Sequence, residues 1–135
     1  MKKVLTFGVF DYYHLGHLRL FKNIRKAVGE PCFLIVAMQD GDFILSQKPD
    51  AEIMYSTAER MEMLSSVKEI DQVVIYTLVD EFIGKADFDV FARGPDQTSP
   101  RFMKFEKWAV DNGKEVLVIP RTEGISSTLI KKDLK

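Results

Sequence analysis

The chain has 135 residues, 46% hydrophobic and 29% charged, with 19 basic and 20 acidic residues for a net charge of −1. This suits one domain over residues 1–135 with a real core, and it excludes a disordered or fibrous protein. The near-neutral balance argues against a globally basic nucleic-acid binder, no apolar run approaches the roughly 20 residues of a membrane span, and a single cysteine, Cys32, forbids an internal disulfide and suits a cytoplasmic protein. The apolar opening after Lys2 and Lys3 starts like a signal peptide, but Asp11 and His14 interrupt it and no small-residue cleavage site follows.

Residues 3–7 are rich in β-formers, end at Gly8, and read as a buried strand. Over 15–28 the apolar residues recur at helical spacing, lysines and arginines fill the other face, and Gly29 and Pro31 stop the helix. Residues 32–38 are apolar throughout, as a central strand covered on both faces should be. Residues 40–50 are polar, contain Gly41 and Pro49, and read as a loop. Ser56 and Glu59 form a capping-box pattern opening a helix to about residue 67. A third strand follows over 72–77, a short helix or irregular piece over 78–84, and a fourth strand over 88–92. Residues 100–112 are helical, with Phe102, Phe105, Trp108 and Ala109 on the apolar face. A fifth strand covers 115–119, and Ser126 or Ser127 caps a last helix. This alternation predicts an α/β domain, a parallel sheet of about five strands with helices on both faces. Ligands of such sheets bind at the carboxyl ends of the strands, so the loops after strands one, two, four and five are the candidate site.

The loop after the first strand carries the only two histidines, His14 and His17. At i, i+3 spacing on a helix start they share a face with unpaired helix amides, and Gly16 allows close approach, so a phosphate chain fits. Surface or capping histidines are the plain alternative, and a zinc site lacks a third ligand because Cys32 lies inside a strand. There is no P-loop, and Gly8 and Gly16 stand too far apart for a dinucleotide fingerprint. Near the carboxyl end, Arg121 precedes Ser126, Ser127 and Thr128. An ordinary cap uses one hydroxyl, so three after a forked cation favour an anion site over a surface ion pair of Arg121 with Glu123. Taken alone, Lys48 reads as a solvated loop lysine.

The run His14-Leu15-Gly16-His17 resembles the HxGH motif of the nucleotidylyltransferase superfamily. Residues 121–128 resemble the RTEGISTT signature of its cytidylyltransferase branch, especially of bacterial glycerol-3-phosphate cytidylyltransferases, and residues 1–11 follow the same family. The likeness covers essentially the whole chain. It implies a Rossmann-like domain that transfers CMP from CTP to a small phosphorylated acceptor and releases pyrophosphate. Glycerol 3-phosphate is the default acceptor, the product being of the kind that serves as a cell-surface polymer precursor. Another phosphorylated metabolite (an amino alcohol, sugar acid or amide) is the alternative, as are adenylyl transfer and a non-catalytic nucleotide sensor.

By position, the resemblance makes His14, His17, Lys48 and Arg121 catalytic, with Lys48 bridging the phosphates of both substrates. It assigns Val9, Phe10, Gly16, Gly94, Asp96, Thr122, Ser126 and Ser127 to nucleotide binding, Phe10 through its backbone. Mg²⁺ is implied, held mainly by substrate phosphates and with no protein metal ligand, as is a homodimer without nucleic-acid or membrane partners. Asp71 matches a family aspartate with a structural or dimer-related role. The chain departs from the family at Val9, a threonine in relatives; at Lys48-Pro49-Asp50, where relatives carry more lysines; and at Gly94-Pro95-Asp96-Gln97, preceded by an added cation, Arg93. These departures predict a changed acceptor pocket and an acceptor with a carboxylate or amide besides its phosphate.

Overall fold

Strand β1 (Lys2–Gly8) and strand β2 (Cys32–Gln39) carry apolar residues on both faces, and both faces are covered. The computed structural model describes residues 1–10, 15–85 and 87–120. Helix α1 (Leu15–Val28) follows β1, and helices α2 (Gly41–Gln47) and α3 (Thr57–Ser65) follow β2. Then come β3 (Gln72–Tyr76), a 3₁₀ turn at Val79–Phe82, β4 (Val90–Arg93), α4 (Pro100–Asp111) and β5 (Glu115–Val118). All pairings are parallel, in the order β3-β2-β1-β4-β5. This is the α/β Rossmann-like architecture that the alternating pattern predicts.

Side chains alternate across the sheet because successive strand residues point to opposite faces. Val4, Leu34, Val36 and Val90 meet Phe21 and Ile24 of α1 and Leu64 of α3. Leu5, Phe7, Ala37 and Phe91 meet Phe105 and Ala109 of α4 and Val79 of the 3₁₀ turn. Phe7 is the hub of the second layer, with edge-on contacts to Tyr76, Phe82, Phe91, Phe102 and Phe105 at ring-centre distances of 5.1–5.8 Å. Phe105 and Trp108 are thus core, as their helical spacing predicts. No helix among the described residues is long and apolar enough to cross a membrane.

The structure corrects the reading of 40–50 as loop. Asp40 caps α2 by accepting the Phe43 amide at 3.2 Å, and half-buried Phe43 and Ile44 give that short helix an inner face. Gly41 at its first position hides the helix from a propensity reading. The capping box at Ser56 and Glu59 is present in both directions. The helix expected after Ser126 or Ser127 lies outside the described residues.

Asp71 is structural. Its Oδ2 accepts the Leu34 amide and the Arg25 guanidinium, each at 2.8 Å, while Arg25 also grips Glu30 and the carbonyls of Cys32 and Glu69. Burial pushes the Asp71 carboxyl up, but the Leu34 amide and Arg25 outweigh it and hold it below the usual carboxylate range. A folded-state pKa below the unfolded one means that this contribution is present above the unfolded value, near pH 4, and is lost as pH falls through the folded value. Asp71→Asn is therefore expected to lose about 2 kcal/mol at neutral pH and to flatten the acid limb of stability. Urea unfolding of both forms at neutral and acid pH checks this; parallel pH profiles would exclude the carboxylate as the cause. Cys32 is buried beside this cluster and burial raises its thiol pKa, as suits an unreactive thiol.

Candidate active site

The chain builds β1, β2 and β3 outward in one direction and then returns to place β4 on the other side of β1. The crevice at such a reversal is where ligands bind in open α/β sheets. Here it is opened by the strands themselves. β1 pairs with β2 from Lys2–Cys32 to Gly8–Met38, but with β4 only at Val4–Val90 and Leu5–Phe91. Where the β1–β4 ladder stops, Gln97 replaces it: its Nε2 donates to the Phe7 carbonyl at 2.8 Å and its Oε1 accepts the Gly94 amide at 3.2 Å. A buried carbonyl that loses its strand partner needs another donor. The loop after β4 is thereby tied to the end of β1. A Cβ at Gly94 would meet nothing within 4 Å, so the space beside this residue is open.

The end of β1 is shaped by Gly8, Phe10 and His17. Phe10 has φ 55, the left-handed region that side chains rarely occupy. Its ring folds back over Gly8, where a Cβ would lie 2.5 Å from the ring. The buried ring then packs edge-on against His17, in the first turn of α1, at 5.3 Å and 78°, and against Phe21 at 5.5 Å. Glycine at position 8 gives Phe10 its room, and Phe10 in turn braces the imidazole.

The loops after β1 and β2 are joined from below by Arg60 of α3. This arginine is fully buried. Its Nη1 donates to the carbonyls of Val9 at 2.7 Å and Gln39 at 2.8 Å, and its Nη2 to Thr57 Oγ1 at 3.3 Å. Thr57 in turn accepts the Gly41 amide and donates to Asp40 Oδ1. A Cβ at Gly41 would come within 2.9 Å of Arg60 Nη2, so the glycine makes space for the guanidinium. One planar fork thus sets the spacing of both loops.

Beyond these loops an open cleft of about 680 Å³ runs past the ends of β1, β2 and β3 to the start of α4. Lys48, exposed at the carboxyl end of α2, lines it together with Val9 and Phe10. The Lys48 amide closes α2 on the Ile44 carbonyl and its own carbonyl accepts the Ala51 amide, which fixes where the lysine leaves the backbone.

Residues 5–133 match the cytidylyltransferase-like family. The chain belongs to that family. It is 33% identical over 137 residues to the glycerol-3-phosphate cytidylyltransferase of Staphylococcus aureus, covering 99% of this chain and 96% of the relative. It is also 33% identical over 132 residues to the FAD synthase of Thermococcus kodakarensis, covering 96% of this chain and 78% of the relative. The lipopolysaccharide core biosynthesis protein from Thermoplasma volcanium shares the fold, with a TM-score of 0.68 over 90% of this chain and 97% of that one at 20% identity. This cytidylyltransferase-like domain is accordingly a nucleotidyltransferase by family. The two relatives carry different names at the same identity, so overall identity does not choose the acceptor or the base.

Within the cytidylyltransferase-like domain, Val9, Phe10, Gly16 and His17 stand together at the end of β1 and start of α1, Gly94 and Asp96 follow β4 across the crevice, and Lys48 lines the cleft. His14, Arg121, Thr122, Ser126 and Ser127 lie outside the described residues. Arg93 differs from expectation. Its Nε pairs with Glu106 of α4 at 2.6 Å and its Nη1 donates to the Gly94 carbonyl, so it is a buttress of the β4 loop rather than an added pocket cation. Three residues of the site's frame escape sequence reading. Gln97 acts through an amide with no pattern around it. The Phe10 ring matters as well as its backbone. Arg60 has one faint signal: it shares the buried stripe of α3 with Leu64, four residues on.

Proposed function

We propose that the protein transfers the CMP unit of CTP to a small phosphorylated acceptor. The observation that carries this reading is the placement of His17, braced by Phe10, at the β1–β4 crevice of a cytidylyltransferase-like fold. An oxygen of the acceptor phosphate attacks the α-phosphorus of CTP. A new phosphorus–oxygen bond forms, the bond from the α-phosphorus to the α,β-bridging oxygen breaks, and pyrophosphate leaves with the electron pair. No protein nucleophile is required; positioning and charge stabilisation do the chemistry.

His14 and His17 serve the phosphates where charge builds, Lys48 bridges the two substrates, and Arg121 with Thr122, Ser126 and Ser127 holds the triphosphate. The backbone of Val9, Phe10 and Gly16 and the loop of Gly94 and Asp96 hold the nucleoside. Magnesium enters with the CTP substrate, held mainly by the substrate phosphates. The protein works in the cytoplasm as a homodimer, and glycerol 3-phosphate is the reference acceptor.

Pyrophosphate release with CTP and with ATP under one set of conditions tests the reading. CTP is expected to be preferred about a hundredfold, because a wrong base leaves buried hydrogen-bonding groups unpaired. Comparable release from ATP would assign adenylyl transfer, and CTP binding without release would assign a sensor.

A further inference from the structure

The cleft beyond the nucleotide crevice sets an apolar wall beside a few polar groups, Gln39, Gln47, Glu52 and Ser99. It runs past the ends of β1, β2 and β3 to the start of α4, and its walls include the half-buried Phe43, Ile44, Leu78 and Phe102. Glycerol 3-phosphate offers hydroxyls to these walls and leaves their apolar surface wet. An acceptor with an apolar body covers that surface, which is the dominant favourable term in binding to such pockets.

Among the described residues the charged groups of the cleft are one carboxylate, Glu52, and two cations from different elements. Lys48 comes from the carboxyl end of α2, and Arg101 comes from the first turn of α4. One acceptor phosphate at the nucleotide uses the lysine. Arg101 pairs with Asp80 at 3.2 Å, but both side chains are more than a third exposed or close to it, so the pair holds Arg101 in place only weakly. Its planar fork suits a second oxyanion, such as a carboxylate.

Resting on the cytidylyl-transfer reading above, we propose that the acceptor is a phosphorylated molecule with an apolar body lying along this cleft and a carboxylate at its far end, and that Arg101 is a specificity residue for that carboxylate. Arg101 acts on acceptor choice and has no part in the nucleotide site.

The test uses the full chain, CTP, and three acceptors compared by pyrophosphate release: glycerol 3-phosphate, pentyl phosphate, and phosphooxypentanoate with its carboxylate at the far end. Pentyl phosphate is expected to exceed glycerol 3-phosphate in kcat/KM by about tenfold, the order of one well-placed apolar contact. Phosphooxypentanoate is expected to exceed pentyl phosphate by about tenfold again, the order of one charge-assisted hydrogen-bonded pair. Arg101→Gln should abolish the second step only, leaving pentyl phosphate turnover and the KM for CTP unchanged. Glycerol 3-phosphate as the best of the three, or an Arg101→Gln variant that keeps the carboxylate preference, overturns the inference while cytidylyl transfer stands. Absence of pyrophosphate release from CTP with all three acceptors overturns both.

Discussion

Replacing His17 with alanine is expected to lower kcat by about 10²–10³-fold, the usual loss when one donor to developing charge is removed. The KM for CTP should change far less. The reason is position: His17 sits in the first turn of α1, at the mouth of the crevice, with its ring held edge-on by Phe10. A donor aimed at charge that appears only in the transition state lowers kcat and kcat/KM together when lost. Steady-state kinetics with varied CTP separates the cases. A variant with near-normal turnover would remove His17 from the catalytic set, and one that fails only in KM would make it a ground-state contact.

Arg60→Met is expected to cost about 2–3 kcal/mol of stability, because it removes the donor shared by two half-buried carbonyls and the fork that occupies the fully buried space between them. The acceptors are the carbonyls of Val9 and Gln39, each bonded to the same Nη1, and Thr57 Oγ1 loses its contact with Nη2. Arg60→Lys tests the geometric half of the claim. An ammonium keeps the charge but cannot reproduce the planar fork, so the loops after β1 and β2 lose their fixed spacing. Lys at 60 should therefore recover part of the urea midpoint while turnover stays depressed. A lysine variant with full activity would show that only the charge matters, and a methionine variant with an unchanged midpoint would contradict the structural role altogether.

Much of this architecture is legible in the amino-acid order, for physical reasons. α1 is visible because its apolar residues keep helical spacing from Leu15 to Val28 and a glycine follows. β1 and β2 are visible because central parallel strands are apolar on both faces. The crevice follows from helices on both faces, since right-handed crossovers cover the second face only where the winding direction reverses. α2 is hidden because its start is Asp40-Gly41-Asp42, residue types that favour turns, and a side-chain cap together with the packing of Phe43 and Ile44 overrides that preference.

The site's frame is less legible than the site. His14 and His17 are the chain's two histidines and follow the first predicted strand, while Lys48 stands out only through the family resemblance. Arg60 and Gln97 bond to carbonyls far away in sequence, 51 residues for Arg60 to Val9 and 90 for Gln97 to Phe7, and nothing local marks such partners. Arg93 misleads for the same reason. A lone arginine after a strand looks like a pocket cation until Glu106, 13 residues on, is seen to claim it.

In the proposed reaction the acceptor phosphate attacks the α-phosphorus of CTP. The most direct measurement is phosphorus NMR of the reaction run with an acceptor whose phosphate oxygens carry a heavy-oxygen label. The expected result is one coupled pair of diphosphate resonances, a label in the bridging oxygen of the product, and one equivalent of unlabelled pyrophosphate. Orthophosphate with CDP in place of pyrophosphate, or a product whose bridging oxygen is unlabelled, would contradict it.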